Sequence, residues 1–274
     1  DSVALGRRSR DAGTMSGTQK IHIGVLRLPR ISNFTDFDPL QNEPDVLLDY
    51  IEKPDQLQGL DILIIPGSKS TIADLNFLKE RGLFDAIRDF KGRIVGICGG
   101  FQMLGTVLLD PDGVESPVKE AQGLDLLPST TLLLPEKETH QALAHLDEAG
   151  LKIAPECCEA ISGYEIHMGV TTLDEGLRPF SRIIRRGAAA VSVADGAVSG
   201  DGRIFGTYLH GLFENSRFRE IYLDGVRREK GMPPGSGAGN RPQPDPFDQL
   251  AEQMEKHLDL PRMLALCGLG SDVP

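Results

Sequence analysis

The sequence predicts an α/β fold in which an open, mostly parallel, twisted sheet carries helices on both faces. Two observations support this prediction. Short, nearly continuous apolar runs recur along the first 100 residues, as expected for strands buried on both faces of a parallel sheet. Between two of these runs the apolar residues follow helical spacing, so that strand and helix alternate as they do in open α/β sheets.

The first half of the chain contains the clearest elements. Proline follows two of the apolar runs and marks their ends, because it cannot continue a central strand. One run ends before Pro29 and another before the dipeptide Pro66-Gly67. The predicted elements of this half are, in order, strands at 21–28, 60–65 and 93–97 and helices at 72–90 and 101–109.

The second half is less regular. Charged and proline-containing segments dominate residues 110–155, where we predict only short strands. Residues 231–246 are rich in glycine and proline, which is typical of a flexible linker. Further strands are predicted at 163–168, 182–184, 189–194 and 204–209. The predicted organisation is a main domain at 21–228, a linker at 229–246 and a C-terminal amphipathic helix at 247–274.

Composition limits the class of function. The formal net charge of −11 and the pI near 5.0 argue against a protein that tracks nucleic-acid phosphates. No apolar stretch approaches the roughly 20 residues needed to span a bilayer. Residues 1–20 lack the apolar core of a secretory signal, so a cytoplasmic location is the default expectation.

Of the four cysteines, Cys98 has the most informative surroundings. Cys157, Cys158 and Cys267 form no metal-binding pattern with it, and reduced thiols are expected. Cys98 follows a predicted buried strand, precedes a predicted helix and is flanked by glycines. A nucleophile on such a sharp turn needs small neighbours, and the start of a helix favours its thiolate form. The alternative interpretation is a small, buried and inert cysteine.

A candidate base is His210, at the carboxyl end of the apolar run 204–209. In open α/β sheets the reacting groups gather at the carboxyl ends of the strands, where Cys98 is also predicted. The two residues therefore form a candidate Cys–His pair for nucleophilic catalysis. The alternative is a histidine that only terminates a strand.

Five motifs occur together in order. They are the segment 28–38 (LPRISNFTDFD), 66–69 (PGSK), 96–105 (GICGGFQMLG), 163–169 (GYEIHMG) and 206–213 (GTYLHGLF). Together they resemble the class I, or triad-type, glutamine amidotransferases, and within them the C-terminal amidotransferase domain of the cobyric acid synthase family. The resemblance covers residues 21 to about 228 and implies the flavodoxin-like fold of that class.

The resemblance also implies roles for individual residues. Cys98 would attack the side-chain amide of glutamine, and His210 would act as base and protonate the leaving ammonia. Gly67 and Gly99 would supply the N–H groups of an oxyanion hole. The glutamine itself would be held by Gln102 and by the main chain around His167 and Met168.

The partners implied by the resemblance lie largely outside this chain. No ATP-binding motif is found in the sequence, and no cofactor or metal is expected on it. ATP and Mg²⁺ are expected on an N-terminal synthetase domain, of which residues 1–20 would be the tail or linker. That domain would receive the ammonia and amidate the carboxylates of a corrinoid acceptor, converting adenosylcobyrinic acid a,c-diamide to adenosylcobyric acid.

One position departs from the triad pattern. Many triad-type members have a glutamate two residues after the histidine, and this chain has Leu212 there. Leucine cannot orient an imidazole, so His210 is expected to be held less firmly. Glu214 and Glu165 are the two candidates for an orienting carboxylate. The cobyric acid synthase branch often lacks this glutamate, which agrees with the branch assignment.

Three alternatives remain open on the sequence alone. The glutaminase could serve another acceptor, such as a peptidoglycan precursor. The domain could be a non-catalytic regulatory module on the same fold. It could also be a hydrolase that acts on esters. The motif at residues 28–38 favours the corrinoid acceptor.

Overall fold

The computed structural model describes residues 19–235, 251, 254–259 and 262–263. The chain divides into two units, residues 1–239 and residues 240–274. The strands of the first unit are β1 Ile21–Leu26, β2 Val46–Ile51, β3 Ile62–Ile65, β4 Arg93–Ile97, β5 Val107–Leu109, β6 Glu120–Gln122, β7 Ser129–Leu146, β8 Ile161–Leu173, β9 Ser181–Arg186, β10 Ala189–Asp195, β11 Ala197–Val198, β12 Ile204–Thr207 and β13 Leu209–His210.

The helices are mostly short. They are α1 Asp38–Gln41, α2 Thr71–Glu80, α3 Leu83–Arg88, α4 Gly99–Leu104, α5 Gly150–Ile153 and α6 Ser216–Glu229, with 3-10 turns at Phe34–Phe37, Pro54–Leu57 and Leu212–Glu214. The single helix predicted over 72–90 is interrupted at Gly82, which has a φ of 68° and lies between α2 and α3. The helix predicted over 101–109 ends at Leu104, and Val107–Leu109 form β5.

The central sheet has the order β11-β12-β4-β3-β1-β2. All neighbouring pairs are parallel except β11 and β12 at one edge. Its four middle strands are buried along almost their whole length, which accounts for their continuous apolar runs. The predicted open, mostly parallel α/β sheet is confirmed.

Helices cover both faces of this sheet. Side chains of α6, among them Phe218 and Tyr222, pack on one face together with β1 and β4 residues such as Ile23 and Val95. On the other face, side chains of α2, α3 and α4 pack against Leu63 of β3. Burial of these two clusters supplies the main hydrophobic stabilisation of the domain.

The structure also contains a second, mostly antiparallel sheet, which the sequence analysis did not predict. Its order is β10-β9-β7-β5-β6, and β8 pairs with both β7 and β13. Residues 129–146, predicted to contain only short strands, form the 18-residue strand β7. Its middle section carries exposed polar residues, because an antiparallel sheet can leave one face in water. A strand of this kind contains no continuous apolar run by which it could be recognised in the sequence.

At Tyr208 the chain passes directly from the central sheet to the second sheet. The apolar run predicted as a single strand at 204–209 breaks at Tyr208, so that β12 belongs to the central sheet and β13 to the second one. The buried carboxylate of Asp195 accepts hydrogen bonds from the Thr207 hydroxyl and the Tyr208 N–H, and it thereby fixes this break. Ser181 donates a third bond to the same carboxylate at 2.9 Å.

In the second unit, positions 251, 254–257 and 262–263 are helical. The rest of the amphipathic helix predicted at 247–274 lies outside the described residues, as do residues 1–18 and most of the predicted linker. Among the described positions, no helix has the length and apolar character that crossing a bilayer requires.

Candidate active site

The candidate site lies where the carboxyl ends of the parallel strands meet. Cys98 follows β4 directly, Gly67 lies two residues beyond β3, and His210 lies three residues beyond β12. The segment after β1 adds the 3-10 turn Phe34–Phe37 to the same edge. The sequence prediction that Cys98 and His210 lie close together is met in the structure: both residues lie against Gly67, and the thiol contributes to the raised pKa of His210.

Cys98 occupies a strained turn between strand and helix. Its φ of 52° and ψ of −110° lie in a region that L-residues rarely adopt. The turn is maintained by a 2.8 Å hydrogen bond from the Cys98 N–H to the Thr207 carbonyl oxygen. Only 6% of the residue is exposed, and its thiol lies 3.5 Å from the Ile166 carbonyl oxygen. Strain of this kind is characteristic of functional sites, where it aims a nucleophile outward.

Gly100, the second glycine after Cys98, is required by close packing. A Cβ atom at Gly100 would lie 1.9 Å from the Ile65 carbonyl oxygen, well inside van der Waals contact. The first turn of α4 therefore packs against the end of β3 with no room for any side chain. This explains why the sequence has Gly-Gly immediately after Cys98.

His210 is fully buried and is held on several sides. Its ring stacks on Tyr164 with the ring centroids 5.1 Å apart. The Asn33 amide nitrogen lies 3.2 Å from both ring nitrogens. A Cβ atom built on Gly67 would lie 3.1 Å from the His210 ring and 3.7 Å from the Cys98 Cβ, so glycine keeps this loop close to both residues.

A carboxylate that the sequence analysis did not select contacts the histidine. Asp36 Oδ2 lies 2.6 Å from His210 Nδ1, and Asp36 Oδ1 accepts a 3.1 Å hydrogen bond from the Gly211 N–H. Asp36 is only 3% exposed. Its position was available in the segment 28–38, but nothing local relates it to a histidine 174 residues later.

The two carboxylates proposed to orient His210 lie elsewhere, and that prediction is wrong. Glu165 accepts two hydrogen bonds from Arg186, at 2.7 and 2.9 Å, and among the described residues no hydrogen bond or ion pair joins its carboxylate to His210. Glu214 is exposed, and its side chain has no hydrogen bond or ion pair within the described part of the chain. Leu212, at the position of the usual glutamate, packs in the hydrophobic core.

The surroundings of His210 favour its protonated form. Burial alone disfavours a charged imidazole. The hydrogen bond with Asp36 and the neighbouring Cys98 thiol outweigh this effect and raise the pKa of His210 to about 9. An imidazolium next to the thiol is the arrangement that activates a cysteine nucleophile.

A cavity of about 240 Å³ opens beside Cys98. Gln102 lies on its wall and is fixed by three hydrogen bonds: its amide donates to the Met168 carbonyl at 3.0 Å and to the Tyr208 hydroxyl at 3.3 Å, and it accepts from the Thr71 hydroxyl at 3.0 Å. The structure thus brings Gln102, His167 and Met168 to one cavity with Cys98, as expected.

His167 contributes to the cavity wall in an unusual way. Its ring stacks on Tyr208 at 3.9 Å and is almost fully buried. Nε2 lies 3.5 Å from Glu165 Oε1, within ion-pair distance but without hydrogen-bond geometry, and neither ring nitrogen is hydrogen-bonded to any described residue. The side chain therefore serves mainly as packing, while the main chain at Met168 fixes Gln102.

Charged side chains also line the cavity, and the sequence analysis missed them. Glu115 accepts a 2.6 Å hydrogen bond from the Thr71 N–H at the start of α2, and burial raises its pKa. Lys69 and Lys137 lie on the same wall, and neither forms an ion pair with a described residue. Glu115 and Lys137 belong to the irregular segment 110–155, where the sequence offered no motif.

Two backbone N–H groups lie on the turns next to Cys98. Gly67 follows β3, and its N–H donates to no acceptor among the described residues. Gly99 is the first residue of α4, where an N–H has no partner within the helix. A Cβ atom on Gly99 would lie 2.9 Å from the Ser68 N–H, so the two loops are in direct contact.

No group of three or more histidine, cysteine, aspartate or glutamate side chains in the described ranges has the arrangement needed to hold a metal ion. Cys157 is buried and Cys158 exposed, and both lie outside the cavity. Cys267 lies outside the described residues.

Comparison with known proteins adds independent information. The CobB/CobQ-like glutamine amidotransferase domain matches residues 22–218. The cobyric acid synthase of Syntrophobacter fumaroxidans is 42% identical over 98% of this chain, which covers 54% of that protein. The cobyric acid synthase of Moorella thermoacetica is also 42% identical over 98% of the chain, covering 52% of its length. The chain therefore spans about half the length of these curated relatives.

Solved structures show the same fold at low sequence identity. PurLQS from Thermotoga maritima matches with a TM-score of 0.56 and 16% identity, covering 76% of this chain and all of the matched chain. A structure described as a glutamine amidotransferase matches with a TM-score of 0.53 and 18% identity, covering 74% of this chain and 98% of the other.

Proposed function

Because the chain belongs to the family of CobB/CobQ-like glutamine amidotransferase domains, we propose that it hydrolyses glutamine through a thioester on Cys98 and supplies the released ammonia to an amidation reaction. One observation carries this proposal. Cys98 lies on a strained turn beside a buried histidine, and Nδ1 of that histidine lies 2.6 Å from a carboxylate oxygen of Asp36. This is the arrangement of a nucleophile, its base and an orienting group.

In the proposed reaction the Cys98 thiolate attacks the side-chain carbonyl carbon of glutamine. Protonated His210 then gives its proton to the leaving nitrogen, and ammonia departs as the thioester forms. His210, now neutral, removes a proton from water, which attacks the thioester and releases glutamate. The raised pKa of His210, about 9, supports the proton donation in the first step.

The negative charge that develops on the carbonyl oxygen needs donors in fixed positions. We assign this role to the N–H groups of Gly67 and Gly99. Both belong to tight turns whose neighbours leave no room for a side chain, so the donors are already in place before the substrate binds. Preorganised donors of this kind account for a large part of the rate enhancement in acyl-transfer enzymes.

The cavity also suits the charged end of the substrate. Free glutamine carries an ammonium and a carboxylate on its α-carbon. Glu115 offers one negative charge, and Lys69 and Lys137 offer two positive charges, within the cavity that contains Cys98. We therefore propose that Glu115 accepts the α-ammonium group and that the lysines attract the α-carboxylate.

Replacing Glu115 by glutamine tests this assignment. Because Gln can still accept the Thr71 N–H bond, the start of α2 should remain intact. The KM for glutamine is expected to rise by about 10- to 100-fold, as for loss of one charged hydrogen bond, with little change in kcat. Steady-state glutamate release measures both constants. An unchanged KM would show that Glu115 does not bind the substrate.

The acceptor of the ammonia is proposed from the relatives. They are named cobyric acid synthases and are about twice as long as this chain. We propose that a synthetase half uses ATP and Mg²⁺ to activate carboxylates of a corrinoid, adenosylcobyrinic acid a,c-diamide, and that ammonia from this domain converts them to the amides of adenosylcobyric acid. The contact between the two halves would then be the main partner interaction of this domain.

A glutamine-analogue electrophile provides the direct test. After incubation with 6-diazo-5-oxo-norleucine, Cys98 is expected to be the only cysteine modified, because among the cysteines that the structure describes it alone lines the cavity with Gln102. Peptide mapping by mass spectrometry identifies the site. Excess L-glutamine should slow the labelling, and modification of Cys157 or Cys158 in place of Cys98 would refute the proposal. An ester hydrolase or a regulatory module would not show glutamine protection.

A further inference from the structure

The segment between β1 and α1 contributes a carboxylate to the candidate site. Asp36 lies in the 3-10 turn Phe34–Phe37, and its neighbour Phe37 is buried in the core. Both carboxylate oxygens are used: Oδ2 contacts His210 Nδ1 at 2.6 Å, and Oδ1 accepts the Gly211 N–H at 3.1 Å. The carboxylate therefore fixes the imidazole ring and the backbone that follows it.

From this geometry we infer that Asp36 is the positioning residue for His210, replacing the glutamate that triad-type members carry two residues after the histidine. This inference rests on the proposed function and specifies how its base is held. Since a carboxylate only accepts hydrogen bonds, Nδ1 carries a proton. Nε2 is then the ring nitrogen that remains available to Cys98.

Burial makes the pair a strong one. Asp36 is 3% exposed, and within the described residues its only ion-pair partner is His210. A buried carboxylate without a lysine or arginine partner depends on the imidazolium for charge compensation. The positive charge that His210 acquires during catalysis is therefore stabilised by Asp36, which is the role of the third member of a catalytic triad.

The same segment is fastened to the loop that carries Gly67. The Ser32 N–H donates to the Gly67 carbonyl at 2.9 Å, and the Lys69 N–H donates to the Arg30 carbonyl at 2.9 Å. Asn33, in a left-handed conformation with φ 51°, places its amide against the His210 ring. One short segment thus positions the base and one proposed oxyanion donor together.

Four titratable groups lie around His210, and two of them, Asp36 and Cys98, raise its pKa. Asp36 faces it from the 3-10 turn after β1, Cys98 from the start of α4, Tyr164 from β8, and Glu214 lies four residues after it. Burial, with the nearby charges of Asp36, Glu214 and Cys98, raises the pKa of Tyr164 to about 12, so the phenol stays neutral. Glu214 is exposed, which leaves Asp36 as the dominant fixed negative charge.

The test compares Asp36→Asn with the matched control Glu214→Gln, using glutamate release by the full-length protein. Asparagine keeps the size of the side chain but can donate to Nδ1, which favours the tautomer with its proton on Nε2. We expect kcat to fall by about 10³- to 10⁴-fold with KM within about threefold of wild type, as when the carboxylate of a triad is neutralised. Glu214→Gln should stay within about twofold of wild type.

The pH profile separates positioning from a loss of packing. Asp36 raises the pKa of His210, so its removal should let the imidazolium lose its proton at lower pH. The alkaline limb of the kcat/KM profile is therefore expected to move down by at least about one pH unit in Asp36→Asn and to stay in place in Glu214→Gln. A merely structural residue would lower the rate without moving this limb.

The possible outcomes are distinct. Three results would overturn the inference while the proposed function stands. They are an Asp36→Asn activity within threefold of wild type, an alkaline limb of the kcat/KM profile that does not move in Asp36→Asn, and an equal loss of activity in Glu214→Gln. No glutamate release by the wild-type protein would overturn the proposed function itself. If Asp36→Asn fails to fold, ¹⁵N NMR of wild-type His210 decides the question: a proton on Nδ1 supports the inference, and a neutral ring with its proton on Nε2 overturns it.

Discussion

Replacing Cys98 by alanine in the full-length protein is expected to lower glutamine-dependent amidation by at least about 10⁴-fold, because no thioester can form without the thiol. Ammonia-dependent amidation should remain within about twofold of wild type, since free ammonia bypasses this domain. Product formation with each nitrogen donor, at saturating ATP and acceptor, measures the two rates. The effect is large because Cys98 is the only cysteine among the described residues that line the cavity.

The control for this experiment is Cys158→Ala, which removes an exposed thiol outside the cavity. It should leave both activities unchanged. If Cys98→Ala lost both activities while its thermal unfolding remained cooperative, Cys98 would have a structural role and the proposed division between ammonia production and amidation would be wrong.

The second large effect is expected for Gly100→Ala. The added Cβ would lie 1.9 Å from the Ile65 carbonyl oxygen, so either the end of β3 or the start of α4 must move by more than an ångström. Overpacking of this kind costs about 1–3 kcal/mol of stability, and a displacement of about 1 Å at a reacting group lowers the rate by about 100-fold. Urea unfolding and glutamate release measure the two effects.

Gly200→Ala is the matched control, because a Cβ atom there would meet no atom within 4 Å and the residue does not adopt a positive φ. Its stability should be unchanged or slightly increased, since alanine restricts the unfolded chain. Wild-type stability and activity in Gly100→Ala would mean that the turn after Cys98 is not as tightly packed as the structure indicates.

The strands that are buried on both faces could be predicted from a few consecutive residues. Strands at 93–97 and near 62–65 were predicted almost to the residue, because strands of a parallel sheet read as continuous apolar runs. β7 was missed, since a strand with one face in water alternates apolar and polar residues, and a proline within it breaks even that pattern.

The residues of the candidate site were predictable only where a few neighbouring positions carry the signal. Cys98 and His210 were predictable because each lies at a strand end next to glycines, a pattern contained within a few residues. Asp36 and Glu115 were not selected, because their contacts join segments far apart in the chain and no local spacing encodes them. The prediction that Glu214 or Glu165 orients His210 relied on nearness in sequence or on a shared strand, and the tertiary structure overrode it.

The break at Tyr208 places the two reacting side chains on different supports. Cys98 follows a strand of the central sheet, while His210 is part of β13 in the second sheet. The distance between the thiol and the imidazole therefore depends on how the two sheets pack against each other. A displacement of about 1 Å between the sheets would lower the rate of the proposed reaction by about 100-fold without changing any residue of the cavity.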